Sequence, residues 1–223
     1  MPLAPPPHYL SRHVLSLIMD SRAGTRNFFG APYIHKEITF ADQSPSTWII
    51  TQKLKEKSIQ QSTDEPEHLP SFAVASFICR NRNNPAQEAM MKIWLQLPRI
   101  GTEYSSPEER ARQATNLLCR EAESEWNAFC CLQSSSLDLT PELLAAKRDA
   151  QAEVDLLPGG YALYLVFTLI QGIRLGPPLR ELSVFWTLDM ATREEIRQAF
   201  KEGYMSLGRI GISLWRPTLN NLI

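Results

Sequence analysis

The sequence predicts an α+β fold, in which an antiparallel sheet of about five strands and a long helix are followed by a helical segment. Residues 37–100 and 141–170 contain β-rich apolar runs with short polar connections, which is typical of antiparallel strands. After residue 106, apolar residues recur at steps of three and four, the spacing of one helix face. Helical spacing returns after residue 178.

The composition excludes some classes of partner. The 223 residues suffice for one large domain or two small lobes with a buried core. Lys and Arg total 23 against 24 Asp and Glu, so the formal net charge of -1 argues against duplex nucleic acid or anionic membrane as partner. The longest apolar run, residues 161–170, is too short to cross a bilayer.

The cysteines predict a reducing compartment. Their spacing fits neither a zinc site nor a disulfide framework; they are Cys79, Cys119, Cys130 and Cys131. Residues 1–7 lack the cationic segment and apolar core of a secretory signal. We therefore expect reduced, mostly buried thiols in a cytoplasmic protein.

Residues 1–36 are predicted to be an N-terminal extension. A proline-rich segment precedes four apolar residues at helical spacing, which are Leu10, Val14, Leu17 and Ile18. They predict either a short helix or a mobile extension, and we expect no catalytic or binding residues in this segment.

Three strands are predicted next. Residues 48–54 are β-rich, and residues 72–80 form a second strand after a polar loop with two prolines. Turn-forming residues 81–85 then lead into a third strand, residues 88–97. Short polar connections of this kind indicate an antiparallel meander.

Lys92 lies in the middle of the third strand, among apolar residues. Alternation along a strand places it on one face with Met90, Trp94 and Gln96. Removing its ammonium group from water is costly unless an anion meets it. Either Lys92 pairs with a carboxylate or phosphate, or its stem lies along the sheet while the amino group stays in water.

A long helix follows, and a capping box marks its start. Ser106 is the predicted N-cap, Pro107 the first helical residue and Glu109 the reciprocal partner. One apolar face then continues through Ala111, Ala114, Leu118, Ala122, Phe129 and Leu132.

Glu125 falls on this apolar face, so we expect a buried carboxylate that requires a cation. Glu121, one turn earlier, is the alternative carboxylate. The neighbouring Trp126 could instead provide the packing at this level of the helix.

The rest of the sequence predicts two strands and then helices. Residues 142–148 form the fourth strand, and residues 161–170, the most apolar run, form a central strand. The boundary between two lobes is expected within residues 170–178. Thr192 begins a second capping box and opens a helix whose face carries Ile196, Phe200, Tyr204 and Leu207.

This order of elements resembles the small lobe and hinge of the protein-kinase-like fold. Specifically, it looks like the fungal kinase-like proteins related to aminoglycoside phosphotransferases and choline kinases, and the resemblance covers roughly residues 38–223. The matching strings are Gln87–Ile93, Glu125–Phe129, Pro141–Lys147, Pro158–Tyr161, Phe185–Trp186 with Leu188–Asp189, and Arg193–Phe200. The resemblance implies a small lobe over residues 37–172, then a hinge and a truncated helical large lobe over residues 173–223.

The resemblance also implies a site for ATP and magnesium. Lys92 matches the lysine that binds the α- and β-phosphates, and Glu125 matches the helix glutamate that orients it. Leu169 and Gln171 lie in the hinge, whose backbone receives an adenine. Asn221 matches a metal-binding asparagine of the catalytic loop.

The sequence departs from that family in its catalytic parts. Residues 48–80 contain no glycine, although a glycine-rich loop normally brings backbone amides close to the phosphates. Met90 stands where a small residue is usual, and Arg216 where the catalytic aspartate is expected. The segment expected to carry a second metal-binding aspartate does not occur before Ile223.

We therefore expect a degenerate, truncated, non-catalytic kinase-like module that binds or regulates, with ATP contacting Lys92. Its partner would be an unknown protein or a nucleotide, and the exposed truncated lobe predicts self-association. One alternative is an ATP-dependent small-molecule phosphotransferase completed by missing sequence or a partner chain. The other is a structural α+β interaction domain in which the kinase-like order is coincidental.

Overall fold

The computed structural model describes residues 13–15, 27–41, 45–64, 66, 69–135, 137, 140–170, 172–173, 175–176 and 183–214. The chain divides into a sheet unit, residues 19–123 and 140–171, and a helical unit, residues 1–18, 124–139 and 172–223. In chain order the elements are β1 (His13–Leu15), a 3-10 helix (Ala31–Tyr33), β2 (Glu37–Phe40), β3 (Ser46–Ile59), β4 (Ser71–Asn81), β5 (Glu88–Leu97), α1 (Pro107–Ala111), α2 (Arg120–Gln133), β6 (Leu143–Ala150), β7 (Tyr161–Thr168), α3 (Val184–Thr187), α4 (Met190–Arg209) and β8 (Ile212–Leu214).

The sheet unit contains a six-stranded antiparallel sheet in the order β2-β3-β4-β5-β7-β6. The predicted α+β class with an antiparallel sheet is therefore confirmed. The additional strand is β2, which pairs with the start of β3 at the edge of the sheet. β3 also extends beyond the predicted residues 48–54 at both ends, and its pairing with β4 shifts register between Ile50 and Gln52 and again between Lys53 and Lys55.

One face of the sheet is the main apolar core. The odd-numbered residues of β5 lie in it together with alternate residues of β3 and β4, including Ile50 and Phe77, which are fully buried. Phe29, from the segment before the 3-10 helix, fills the same core. β5 spans the predicted residues, and its predicted alternation is confirmed.

The predicted single helix from Pro107 to Leu132 is wrong. The chain forms two helices, α1 and α2, with residues 112–119 between them. The capping box at the start of α1 is confirmed, because Ser106 Oγ accepts from the Glu109 N–H while the Glu109 carboxylate accepts from the Ser106 N–H.

A side chain of β5 causes the interruption. In a continuous helix the Thr115 N–H would donate to the carbonyl of Ala111. It donates instead to Gln96 Oε1 at 2.9 Å, while the Ala111 carbonyl accepts from Ala114 N at 3.0 Å. The Gln113 carbonyl accepts from Gln96 Nε2 at 2.8 Å. Gln96 thus takes the backbone groups that the helix would have used.

In the helical unit, β1 and β8 pair in parallel. Val14 lies in β1, so the predicted N-terminal helix does not form there, and Leu10, Leu17 and Ile18 lie outside the described residues. The cap of α4 is Asp189, whose carboxylate accepts from the Thr192 N–H at 3.0 Å, so the predicted start at Thr192 is wrong. None of the described helices combines the length and apolarity that spanning a membrane requires.

Candidate functional site

Lys92 is buried in the sheet unit, with only 6% of its surface exposed. Its register neighbours are Ser76 on β4 and Leu165 on β7, which places it in the interior of the sheet. Its Nζ atom lies 5.1 Å from the centroid of the Trp94 ring, within the range of a cation–π contact. This burial disfavours the alternative in which the amino group stays in water.

Glu125 is also buried, at 3% exposure, so its predicted position on the inner face of α2 is confirmed. The alternative, Glu121, is half-buried and lies 4.0 Å from the Arg120 guanidinium. Lys92 belongs to the sheet unit and Glu125 to the helical unit. The predicted Lys92–Glu125 pair therefore stays a prediction.

The other predicted site residues are less informative. Leu169 follows β7 directly and is half-buried. Gln171, Asn221 and Arg216 lie outside the described residues. Met90 is half-buried on the lysine's face of β5, where it pairs in register with Phe167.

The kinase resemblance predicted a glycine-rich loop between the first two predicted strands, where the structure has the β3–β4 loop, residues 60–70. Described residues of this loop are bonded to the segment after β5. Arg99 donates from Nη1 to the Ser62 carbonyl and from Nη2 to the Pro66 carbonyl, both at 2.9 Å. Gln60 Nε2 donates to the Pro98 carbonyl at 3.1 Å. These contacts present carbonyl oxygens to an arginine, whereas a phosphate requires backbone N–H groups.

The sheet unit also contains a cleft of about 640 Å³ that the sequence did not predict. Among the residues that the structure describes, its polar and charged lining includes Thr63, Arg99, Thr102, Arg112, Gln113, Thr115 and Glu123. Its apolar lining consists of Pro70, Ala114, Leu117 and Leu118. Residues 112–115, 117 and 118 line this cleft because they leave the helical path between α1 and α2, which is why a continuous predicted helix concealed it.

Two buried glutamines fix the wall beside the cleft. Gln96 is bonded to Gln113 and Thr115, and Gln151 Nε2 donates to the Gln96 carbonyl at 2.8 Å. The Gln151 Oε1 atom accepts from the Leu157 N–H at 3.1 Å. These bonds join β5, the α1–α2 connection and the β6–β7 connection into one buried polar network.

Gly159 and Gly160 have structural explanations within this network. Gly159 has φ +77°, which favours glycine. A Cβ atom on Gly160 would lie 2.7 Å from Leu157 Cδ2 and 2.9 Å from Gln96 Oε1. The two glycines of the Pro158–Tyr161 string, one basis of the kinase resemblance, thus have local structural roles in this chain.

The buried thiols are not activated. Burial raises the pKa of Cys79 to about 12 and that of Cys119 to about 11. Burial also raises the pKa of the Tyr161 hydroxyl. This hydroxyl lies beside the Cys119 thiol, and a thiol is only a weak hydrogen-bond partner for it. Both thiols are therefore protonated at neutral pH, unlike a catalytic cysteine. Cys131 is half-buried and Cys130 exposed, and no disulfide links any of the four cysteines.

Among the residues that the structure describes, no group of three or more His, Cys, Asp or Glu side chains is placed to hold a metal ion. The predicted metal residue, Asn221, is not among them. Comparison of the chain with protein-family models, curated proteins and solved structures gives no match.

Proposed function

We propose that this chain is a non-catalytic binding module built on a kinase-like small lobe, in which Lys92 contacts a phosphate of ATP. The order of elements supports the proposal, because three adjacent antiparallel strands, β3-β4-β5, precede α2, and β6 and β7 follow it. Lys92 stands in the third of these strands, and the helix that follows carries a buried glutamate.

The observation that carries the proposal is the burial of Lys92. Removing an ammonium group from water costs several kcal/mol, whereas a cation–π contact such as that with Trp94 returns about 0.5–2 kcal/mol. The difference calls for an anionic partner. Glu125 and a nucleotide phosphate are the two partners that the kinase-like arrangement offers.

The β3–β4 loop supports a non-catalytic role. It contains no glycine, and its carbonyls at Ser62 and Pro66 accept hydrogen bonds from Arg99. A loop held in this way does not present a row of N–H groups to transferring phosphates. The adenine contacts at Leu169 and Gln171 and the magnesium contact at Asn221 stay predictions of the same proposal.

A structural α+β interaction domain is the second candidate. The contact of Lys92 with Trp94 favours it, because a lysine held over an indole in a buried face serves packing without any ligand. The two candidates differ in whether ATP stabilises the folded chain.

Thermal unfolding with increasing ATP and magnesium separates them, since a ligand that binds only the folded state raises its apparent stability. We expect a rise for the wild type and for Lys147→Met, a matched control whose lysine also contacts a ring, that of Tyr164. Lys92→Met should lose the rise. Circular dichroism would verify that both variants fold.

If millimolar ATP does not raise the unfolding temperature of the wild type, the proposal of nucleotide binding is overturned. The structural interaction domain is then the remaining candidate. An equal rise in Lys92→Met would overturn the role of Lys92. Release of phosphate at a steady rate in the same samples would overturn the non-catalytic assignment.

A further inference from the structure

We propose that the cleft in the sheet unit binds a small zwitterion, namely a free α-amino acid with an apolar side chain. The described lining residues all belong to the sheet unit, and Lys92 is not among them. The proposal is therefore independent of the nucleotide contact at Lys92. The cleft volume of about 640 Å³ lies within the roughly 300–1,000 Å³ that is typical of small-molecule sites.

Two opposite charges line the cleft. Arg112 and Glu123 are both exposed, and neither forms an ion pair with any residue that the structure describes, the other of the two included. A ligand with a single charge would be attracted by one of these groups and repelled by the other. A zwitterion meets both with the opposite sign, so the lining favours a ligand that carries a carboxylate and an ammonium group.

Arg99 also lines the cleft, but its hydrogen-bonding groups serve the protein. Its Nη1 and Nη2 atoms donate to the carbonyls of Ser62 and Pro66 in the β3–β4 loop. The carboxylate of the ligand is therefore expected at Arg112. The paired N–H groups of an arginine match the two oxygens of a carboxylate.

Glu123 provides the opposite end of the site. It lies in the first turn of α2, beyond the connection that carries Arg112. An ionised carboxylate only accepts hydrogen bonds and an ammonium group only donates them, so the amino group of the ligand is expected at Glu123. Because Arg112 and Glu123 do not pair with each other, they hold the two ends of the ligand at separate points and fix its orientation.

The apolar lining accounts for the side chain of the ligand. Leu117 is an exposed leucine, with 73% of its surface accessible, and it lines the cleft together with Leu118 and Pro70. Glycine would leave this surface in contact with water. An aliphatic side chain on the amino acid would cover part of it.

The wall between the two charges is ordered by bonds within the protein. Gln96 holds the carbonyl of Gln113 and the N–H of Thr115, and Gln113 Nε2 donates to Thr102 Oγ1 at 3.0 Å. The backbone that follows Arg112 is therefore held in place. A site whose wall is already ordered loses less conformational entropy when it binds.

Calorimetric titration of the full chain with four probes tests the proposal, at about pH 6.5, where the free amino groups are protonated. L-leucine carries both charges, N-acetyl-L-leucine lacks the positive one, L-leucinamide lacks the negative one, and glycine lacks the apolar side chain. We expect saturable binding of L-leucine. Each of the other three probes should bind at least about threefold more weakly, because each loses one of the contacts described above.

Two charge variants assign each end of the ligand. Arg112→Gln should weaken L-leucine about three- to tenfold, between the effect of an exposed ion pair and that of a charge-assisted hydrogen bond, and should not weaken L-leucinamide. Glu123→Gln should weaken L-leucine to a similar extent and should not weaken N-acetyl-L-leucine. Only a direct contact couples the loss in the protein to the loss in the ligand in this way.

Arg82→Gln and Glu37→Gln are the matched controls. Arg82 and Glu37 form an exposed ion pair, and Arg82 follows the opposite end of β4 from the cleft residue Pro70. Both controls should bind L-leucine like the wild type.

The proposal is overturned if L-leucine does not saturate at tens of millimolar, or if either singly charged analogue binds as tightly as L-leucine. It is also overturned if Arg112→Gln and Glu123→Gln bind L-leucine like the controls. Circular dichroism of the four variants verifies that a loss of binding is not a loss of fold.

Discussion

The Gln96 side chain donates a hydrogen bond to the carbonyl of Gln113 at 2.8 Å and ends the helical path that begins at Pro107. Gln96 is buried at 3% exposure, and its Oε1 accepts from the Thr115 N–H. One side chain on the central sheet thus shapes both the α1–α2 connection and the wall of the cleft.

Replacing this amide should weaken the fold. Gln96→Leu removes the side-chain partner of the Gln113 carbonyl and of the Thr115 N–H, which are partly buried, and each lost hydrogen bond costs about 0.5–1.5 kcal/mol. We expect the free energy of unfolding to fall by roughly 1–3 kcal/mol in urea denaturation.

Gln52→Leu is the matched control, since Gln52 is an exposed residue of β3. It should change the free energy of unfolding by less than about 0.5 kcal/mol. Equal losses in the two variants would contradict the role assigned to Gln96.

Replacing two glycines by alanine should change the free energy of unfolding in opposite directions. In Gly160→Ala the new Cβ meets Leu157 and Gln96 at under 3.0 Å, so we expect a loss of about 1–3 kcal/mol in the free energy of unfolding. Gly208→Ala adds a methyl group within α4 where no atom lies within 4 Å, and a gain of roughly 0.5–1 kcal/mol is expected. Chemical denaturation measures both, and a stabilised Gly160→Ala variant would refute the crowding at this turn.

Alkaline pH should weaken the fold through the buried thiols. Burial raises the pKa of Cys119 from its ordinary 9.0 to about 11. Above pH 9 the unfolded chain loses this proton while the folded chain keeps it, so stability falls as pH rises from about 9 to 11. Urea denaturation between pH 8 and 10.5 should record the fall.

Cys119→Ala should reduce that dependence on pH, because it removes the buried thiol. The comparison uses the change with pH within each protein, because the substitution also alters stability at pH 8. A wild-type free energy that stays level up to pH 10.5 would show that Cys119 titrates normally.

The sequence alone predicted the local features of the candidate nucleotide site. Period-two alternation placed Lys92 on a defined face of β5, and helical spacing placed Glu125 on the buried side of α2. Both patterns are local consequences of backbone geometry. Whether the two side chains pair depends on how distant elements of the chain pack together. The periodicity of a sequence does not predict that packing.

The cleft could not be predicted in the same way. Thr115 and Asn116 weaken helix propensity slightly, but the apolar spacing runs across them and predicts a continuous helix. Only the bonds from Gln96 redirect that backbone. Asp189 likewise caps α4 in place of Thr192, although both residues have capping side chains.

The sequence by itself therefore determined the class of fold, the position of β5 with the division of its side chains between two faces, and the burial of Glu125 on α2. These follow from alternation and from the cost of exposing apolar surface. The tertiary structure decided where α1 stops, how the β3–β4 loop is held, and that a cleft with Arg99 and Arg112 exists. Each depends on a hydrogen bond or contact between residues far apart in the chain.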